Sequence, residues 1–65
     1  MGETRFLPVP EGIDGMRVDA GLARMLGLSR ARMALLIEDG RVWVNGRAVA
    51  KSDRLAAGDQ VEIEL

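Results

Sequence analysis

The 65-residue chain contains no cysteine and no histidine. The first absence excludes disulfide bonds, and the two together remove the usual ligands of a structural zinc ion. Aromatic residues make up only 3% of the chain. Because a domain of this length buries only about 60% of its unfolded surface, its stability must come from aliphatic packing alone. A chain without cysteine suits a reducing, cytoplasmic setting.

Long apolar runs are also missing. The longest run, Met33 to Ile37, has five residues, whereas a membrane-spanning helix needs about 18 or more. The N-terminal residues show no charged-then-apolar signal pattern. The sequence therefore predicts one small soluble domain, which we expect to be monomeric and without a membrane partner.

Charge is nearly balanced over the whole chain, at −1, but it is unevenly distributed. Residues 17–54 hold eight basic and four acidic side chains, a balance of +4, and the remaining residues carry −5. Two interpretations are open at this point. The basic middle is either an ordinary solvated surface or a face that binds an anionic partner.

The first half of the chain reads as a short strand followed by two helices. Residues 5–9 form a short extended segment that is stopped by Pro8 and Pro10. Because proline is tolerated mainly at sheet edges, this segment predicts an edge strand. Asp19 is predicted to cap the first helix, and Gly27 to end it in a left-handed conformation. Ser29 is predicted to cap a second helix that runs to about Asp39. Since the link between the helices has two or three residues, they must pack closely.

After Gly40 the apolar period changes from 3.6 to 2. Val42 and Val44 alternate with Trp43, and Asn45-Gly46 is a strong signal for a type I′ hairpin turn. In that register Trp43 lies opposite Ala48 and points away from the core. A last strand follows, with Val61, Ile63 and Leu65 facing inward. The predicted fold class is α+β, with two short packed helices followed by a hairpin and a small, mostly antiparallel sheet.

The sequence offers little for catalysis. Without histidine, cysteine or tyrosine, the remaining bases and nucleophiles each have a structural explanation as cap or turn residues. No metal-ligand cluster and no glycine-rich phosphate loop is present. We therefore expect this 65-residue chain alone not to be an enzyme, and we expect no cofactor and no metal.

The order of several short motifs resembles a known RNA-binding domain. It is the S-four domain, or alpha-L motif, first known from the fourth small-subunit ribosomal protein. The resemblance covers about residues 16 to 65. The matching pieces are Arg17-Val18-Asp19, Leu28-Ser29-Arg30, Leu36-Ile37-Glu38-Asp39-Gly40, Val44-Asn45-Gly46 and Ala57-Gly58-Asp59.

The N-terminal residues extend this resemblance. The lead-in from Phe6 to Gly12, running into Met16-Arg17-Val18-Asp19, looks like the start of the RluD-type pseudouridine synthases, which modify large-subunit ribosomal RNA. In that family the RNA-binding domain precedes a larger catalytic domain. The resemblance implies that residues 1–15 are a lead-in with an edge strand, that residues 16–65 are the RNA-binding domain, and that a catalytic domain belongs to the parent protein. Asp19 superficially resembles the family's catalytic aspartate, but its surroundings match the helix start of the RNA-binding domain.

The resemblance also implies a set of RNA-binding residues around the second helix. A helix N-terminus offers free amides and partial positive charge to a phosphate, and arginines add paired donors, which agrees with this assignment. Structured RNA, ribosomal RNA above all, is the expected partner. The residues are Arg17, Ser29, Arg30, Arg32, Asn45, Arg47 and Lys51.

Several alternatives stay open. The chain could be a stand-alone ribosome-associated factor, the RNA-binding domain of another RNA-modifying enzyme, or a protein-interaction domain. A sulfur-carrier-like fold is disfavoured because that chemistry needs a C-terminal Gly-Gly, and this chain ends in Ile63-Glu64-Leu65. Trp43 could stack on an exposed base, meet a neighbouring domain, or cover the outer side of the hairpin. The sequence pI is about 5.2, and Ala34 and Leu35 stand where relatives often carry polar or basic residues, so we expect RNA binding to be weak and sensitive to salt.

Overall fold

A computed structural model describes residues 2–65 as two helices and a four-stranded antiparallel sheet. A short 3₁₀ turn, Glu11–Ile13, lies between the first strand and the first helix. This architecture confirms the predicted α+β fold. The elements in chain order are β1 (Thr4–Pro8), α1 (Val18–Leu26), α2 (Arg30–Glu38), β2 (Val42–Val44), β3 (Arg47–Ala48) and β4 (Gln60–Glu64).

The sheet has the strand order β1-β4-β2-β3. The last strand in sequence, β4, is therefore central and pairs with β1 on one side and β2 on the other. The first strand lies at an edge, as Pro8 and the following Pro10 predicted. It aligns Thr4 with Glu64 and Pro8 with Gln60, so the N-terminal lead-in belongs to the same sheet. The boundary between lead-in and domain at residue 16 stays a prediction.

The start of α1 differs from the prediction. The N-cap position is occupied by Arg17, which makes no side-chain capping bond. The prediction that Asp19 caps this helix is wrong, because Asp19 is the second residue inside it. Its carboxylate accepts a hydrogen bond from the adjacent Ala20 N–H at 2.7 Å. The C-terminus agrees with the prediction: Gly27 has a φ of 71°, a left-handed conformation that favours glycine.

The second helix follows its predicted caps. The Ser29 side chain accepts a hydrogen bond from the Arg32 N–H at 3.1 Å, which satisfies one of the amides that a helix start leaves unpaired. The helix ends at Glu38, and the Arg41 N–H bonds back to the Leu36 carbonyl at 3.0 Å past Gly40. This cap turns the chain directly into β2.

The hairpin forms as predicted. Asn45 and Gly46 both have positive φ, at 52° and 80°, as a type I′ turn requires. Trp43 pairs with Ala48, and Val44 with Arg47. Because side chains alternate along a strand, Val44 faces the core and Trp43 the opposite side of the sheet.

The helices cover one face of the sheet and enclose a single aliphatic core. Met33 of α2 and Ile63 of β4 are both fully buried within it. Among residues 2–65, neither helix is long or apolar enough to cross a membrane. The buried apolar residues are Val9, Ile13, Val18, Leu22, Ala23, Met33, Ile37, Val42, Val44, Leu55, Val61 and Ile63.

Candidate nucleic-acid interface

A buried carboxylate in the first turn of α1 contacts one arginine from the start of each helix. Asp19 is only 5% exposed, and its oxygens accept hydrogen bonds from the Arg17 Nε at 3.2 Å and Nη2 at 3.1 Å. The Arg30 Nη2 lies 3.6 Å from the same carboxylate. A two-pronged contact of this kind fixes the plane of a guanidinium as well as its position. One aspartate therefore holds two of the predicted RNA-binding arginines side by side.

Local sequence explains how this cluster forms. Arg17 stands just before α1 and Asp19 is in its first turn, so the two side chains lie close together without any long-range contact. Arg30 is the first residue of α2, and the short link between the helices brings it back to α1. An arginine at a helix start is unfavourable for the helix dipole, and the neighbouring Asp19 charge offsets that cost.

The electrostatics of Asp19 follow from these contacts. Burial by itself raises the pKa of the carboxyl, but the hydrogen bond from the Ala20 N–H, the charge and hydrogen bonds of Arg17, and the charge of Arg30 outweigh it. The pKa of Asp19 is therefore below its ordinary value of 3.8. At neutral pH the group is an anion that binds two cations.

The loop after the hairpin is joined to the same helix start. The Val18 N–H donates to the Asp53 carbonyl at 2.7 Å, and Arg17 forms an isolated antiparallel bridge with Arg54. Arg54 is exposed, and its Nη1 donates to the Gly15 carbonyl at 3.0 Å. This loop therefore adds a third arginine next to the pair held by Asp19.

Lys51, in the same loop, lies farther along the second helix. Its Nζ is 3.6 Å from a carboxylate oxygen of Glu38, and both side chains are about half exposed. Arg32 is exposed and makes no ion pair with any other residue in the described range 2–65. We call the exposed cationic groups of the two helix starts and of the loop after the hairpin the arginine surface. Its residues are Arg17, Arg30, Arg32, Lys51 and Arg54.

The two hairpin residues predicted to bind RNA, Asn45 and Arg47, have different surroundings. The amide of the Asn45 side chain donates to an Asp59 carboxylate oxygen at 3.1 Å, and its oxygen accepts from the Gln60 N–H at 2.9 Å. The polar atoms of the Asn45 side chain thus bond to the start of β4 and stabilise the turn. Arg47, in contrast, is exposed and lines an open groove of about 540 Å³ together with Val18 at the start of α1. An RNA role for either residue stays a prediction.

Trp43 lies on the other side of the molecule. It is half-buried on the sheet face that points away from the helices, with Ala48 and Glu62 as its cross-strand neighbours. It is therefore not part of the arginine surface.

Sequence reasoning missed two features of this surface. Asp19 pairs with arginines instead of capping its helix, and the signal for this local ion pair is the arginine two positions earlier. Arg54 was not selected, because its position beside Arg17 depends on a backbone bridge that joins residues far apart in sequence. Within residues 2–65 there is no cluster of three or more acidic side chains that could hold a metal ion.

Comparison with known proteins shows the family of the chain. The model of the S4 domain family matches residues 16–61. The chain is 54% identical, over 94% of its length, to an uncharacterized RNA pseudouridine synthase of Mycobacterium bovis. It is 38% identical, over 91% of its length, to the ribosomal large subunit pseudouridine synthase D of Neisseria meningitidis.

These alignments cover 20% of the first relative and 16% of the second, so the chain spans about one fifth of their length. A third relative, an uncharacterized RNA pseudouridine synthase of Aquifex aeolicus, is 40% identical over 75% of the chain and is covered to 21%. The family match takes in both helices, the hairpin and the start of the central strand. The chain therefore belongs to the S4 domain family, the alpha-L RNA-binding fold that its motifs predicted.

Proposed function

We propose that this domain binds structured RNA, and specifically ribosomal RNA, as the RNA-binding module of a pseudouridine synthase. The observation that carries the proposal is the placement of Arg17 and Arg30 by the buried carboxylate of Asp19. Both guanidinium groups remain accessible, with side chains 41% and 62% exposed. Because the two cations are already held in place, binding a phosphate group costs little additional side-chain entropy.

The start of α2 supplies a second element of the proposed site. Its first turn has amides without intrahelical partners, of which Ser29 satisfies one. Free amides and the positive end of the helix dipole favour an anion. Phosphate contacts of this type recognise the shape of folded RNA more than its sequence. We place the domain in the cytoplasm, where ribosomal RNA is made and modified, and we expect it to be a monomer.

Two related functions are the alternatives within the same fold. A stand-alone ribosome-associated factor, or a domain of a different RNA-modifying enzyme, would use the same surface. The relatives at 54% and 38% identity, which are both named as pseudouridine synthases, favour the first proposal. Sequencing the encoding reading frame separates them, because the proposal requires a pseudouridine synthase domain in the same polypeptide.

RNA binding is tested by titrating the domain with a folded ribosomal RNA fragment at several salt concentrations. The test variant is Arg30→Ala with Arg32→Ala. The matched control is Arg5→Ala with Arg24→Ala, which removes the same charge from β1 and from the last turn of α1. Each lost phosphate contact lowers the slope of log affinity against log salt by about 0.7 to 0.9. We therefore expect the test variant to lose roughly 1.5 from that slope, and the control to lose little.

Two results would contradict the proposal. One is a salt slope near zero for the unmodified domain, which would mean that no phosphate is neutralised. The other is an equal loss of affinity in both double variants, which would mean that only net charge matters. A third titration, with an unstructured RNA of the same length, should give weaker binding if folded shape is recognised.

A further inference from the structure

The sheet face that points away from the helices carries two aromatic side chains on either side of a carboxylate. Phe6 of β1 and Trp43 of β2 are both cross-strand partners of Glu62 on the central strand β4. Because directly paired residues project to the same side of a sheet, the three side chains form one row. We call Phe6, Glu62 and Trp43 the outer sheet row.

This row is exposed in a way that internal packing does not explain. Phe6 is 71% exposed and is one of the two large apolar residues that the domain leaves in solvent. Glu62 makes no ion pair with any residue between 2 and 65. By contrast, the neighbouring Glu64 is paired with Arg41 at 3.4 Å. The exposed Phe6 and the half-buried Trp43 give this face two aromatic side chains, a residue class that is enriched in protein interfaces.

The chemistry of the row defines the complementary partner. Neighbouring strands are about 4.8 Å apart, so the backbones of Phe6 and Trp43 stand about 10 Å apart with Glu62 between them. A lysine or arginine placed over Glu62 would meet the carboxylate and lie next to both rings, which attract cations. A phosphate backbone would be repelled by the same carboxylate. The row therefore favours a protein surface with a cationic side chain among apolar groups over RNA.

We propose that the outer sheet row docks against the catalytic part of the pseudouridine synthase polypeptide, with a lysine or arginine of that part seated over Glu62. This inference rests on the proposed function. The relatives are about five times as long as the segment they share with this chain, so in such a polypeptide the domain has a large covalently joined neighbour. A chain continuing from Leu65 would leave next to Glu64, whose side chain is on this same face. Tethering at this point raises the effective concentration to about the millimolar range, so a small interface is sufficient.

The arrangement gives the two faces of the domain separate partners. The arginine surface around the helix starts is left free for RNA, while the opposite side of the sheet rests on the rest of the enzyme. The domain would then be held in a defined orientation instead of moving freely on its linker.

A footprinting experiment tests the docking. A chimera is made in which this chain replaces the matching segment of the Mycobacterium bovis relative. Hydroxyl-radical oxidation of Phe6 and Trp43 is then compared between the chimera and the 65-residue chain, both without RNA. We expect oxidation of both rings to fall by about threefold or more in the chimera, because an interface core excludes water. Leu35, which is 61% exposed on α2, is the internal control and should be unchanged.

Two variants test the role of the carboxylate. Glu62→Arg in the chimera should restore oxidation of Phe6 and Trp43 to the level of the isolated chain. Glu11→Arg, at an exposed glutamate outside the sheet, should leave the protection intact. Equal effects of the two variants would overturn the proposed pairing with a cation.

A second measurement does not depend on the folding of the chimera. The chain has one tryptophan, so its ¹⁵N-labelled form gives a single indole signal. Addition of the Mycobacterium bovis polypeptide without the matched segment should shift that signal saturably. Three results would each overturn the docking proposal. The signal could shift with a ribosomal RNA fragment instead, or it could shift when only the concentration of the chain is raised. The third result is no shift of the signal together with no protection of the rings in the chimera. The salt titration of Arg30 and Arg32 variants is independent, so failure of RNA binding is recognised separately.

Discussion

The arginine surface and the outer sheet row each contain one carboxylate, but the two groups have opposite surroundings. Asp19 is buried, accepts three hydrogen bonds and lies between two arginines. Glu62 is half-buried on an open sheet face and has no cationic partner within residues 2–65. The first carboxylate is buried in the fold and holds two arginines at the surface. The second carboxylate lies on the surface itself, where a partner can contact it directly. A net charge of −1 conceals this division completely.

Replacing each carboxylate by its amide gives the largest expected contrast between the two faces. Asp19→Asn removes the charge that Arg17 and Arg30 share, while a side chain of nearly the same size remains. Removing one partner of a fully buried ion pair costs about 3 to 5 kcal/mol, but both arginines here are partly in water. We therefore expect a loss of about 1 to 2 kcal/mol in the free energy of unfolding.

Glu62→Gln is the matched change on the sheet face. Since that carboxylate has no partner to lose, we expect the free energy of unfolding to change by less than about 0.5 kcal/mol. Urea unfolding of the three proteins at neutral pH measures both values. Equal losses for the two amide variants would mean that Asp19 does not organise the arginine surface.

Acid should remove the difference between the unmodified domain and Asp19→Asn. The pKa of Asp19 is lowered in the folded state, so its charge stabilises the fold fully above the unfolded pKa of about 3.9 and progressively less as the pH falls through the folded pKa. Protonated aspartate and asparagine are both neutral. We expect the gap in unfolding free energy to be largest at neutral pH and to shrink as the pH falls below about 4.

The measurement is urea unfolding of both proteins across this pH range. Other carboxylates also titrate there, but they are present in both proteins and cancel in the difference. A gap that does not change with pH would show that the cost of the substitution is steric and not electrostatic.

The helix cap gives a smaller effect. Ser29→Ala removes the bond to the Arg32 N–H, and loss of such a cap costs about 1 kcal/mol. Ser52→Ala is the control, because Ser52 is exposed in a turn and makes no side-chain hydrogen bond with the residues that the structure describes. Thermal unfolding should separate the two variants. A similar midpoint for both would show that the cap is not needed to hold the start of α2.

Most of the fold was predictable because local rules fix it. Ser29 and Gly27 define helix ends through their own side-chain and backbone properties, and Asn45-Gly46 selects its turn by accepting positive φ. Register then follows from the turn. The position of β4 at the centre of the sheet was not predicted, since the sequence gives no rule that selects its partners β1 and β2.

The candidate site was less predictable, because it also depends on contacts between residues far apart in sequence. The cluster of Arg17 with Arg30 depends on packing between helices, and the addition of Arg54 depends on a bridge across 37 positions of sequence. Asn45 is a further example: its residue type does not show that its side-chain atoms bond to Asp59 and Gln60, and its predicted RNA contact stays a prediction. Side-chain partners are set by tertiary structure, which periodicity does not report.

The smallest expected effect on stability is also the one that best separates the two faces. Phe6 is 71% exposed, so Phe6→Thr removes little buried apolar surface and places a residue that favours strands on an edge strand. We expect the free energy of unfolding and the affinity for RNA to stay within about 0.5 kcal/mol of the unmodified values. Protection of Trp43 in the chimera should nevertheless be lost, because the row then presents one ring instead of two. If Phe6→Thr destabilises the domain by more than about 1 kcal/mol, the exposed ring has a structural role and its exposure is not evidence of a partner.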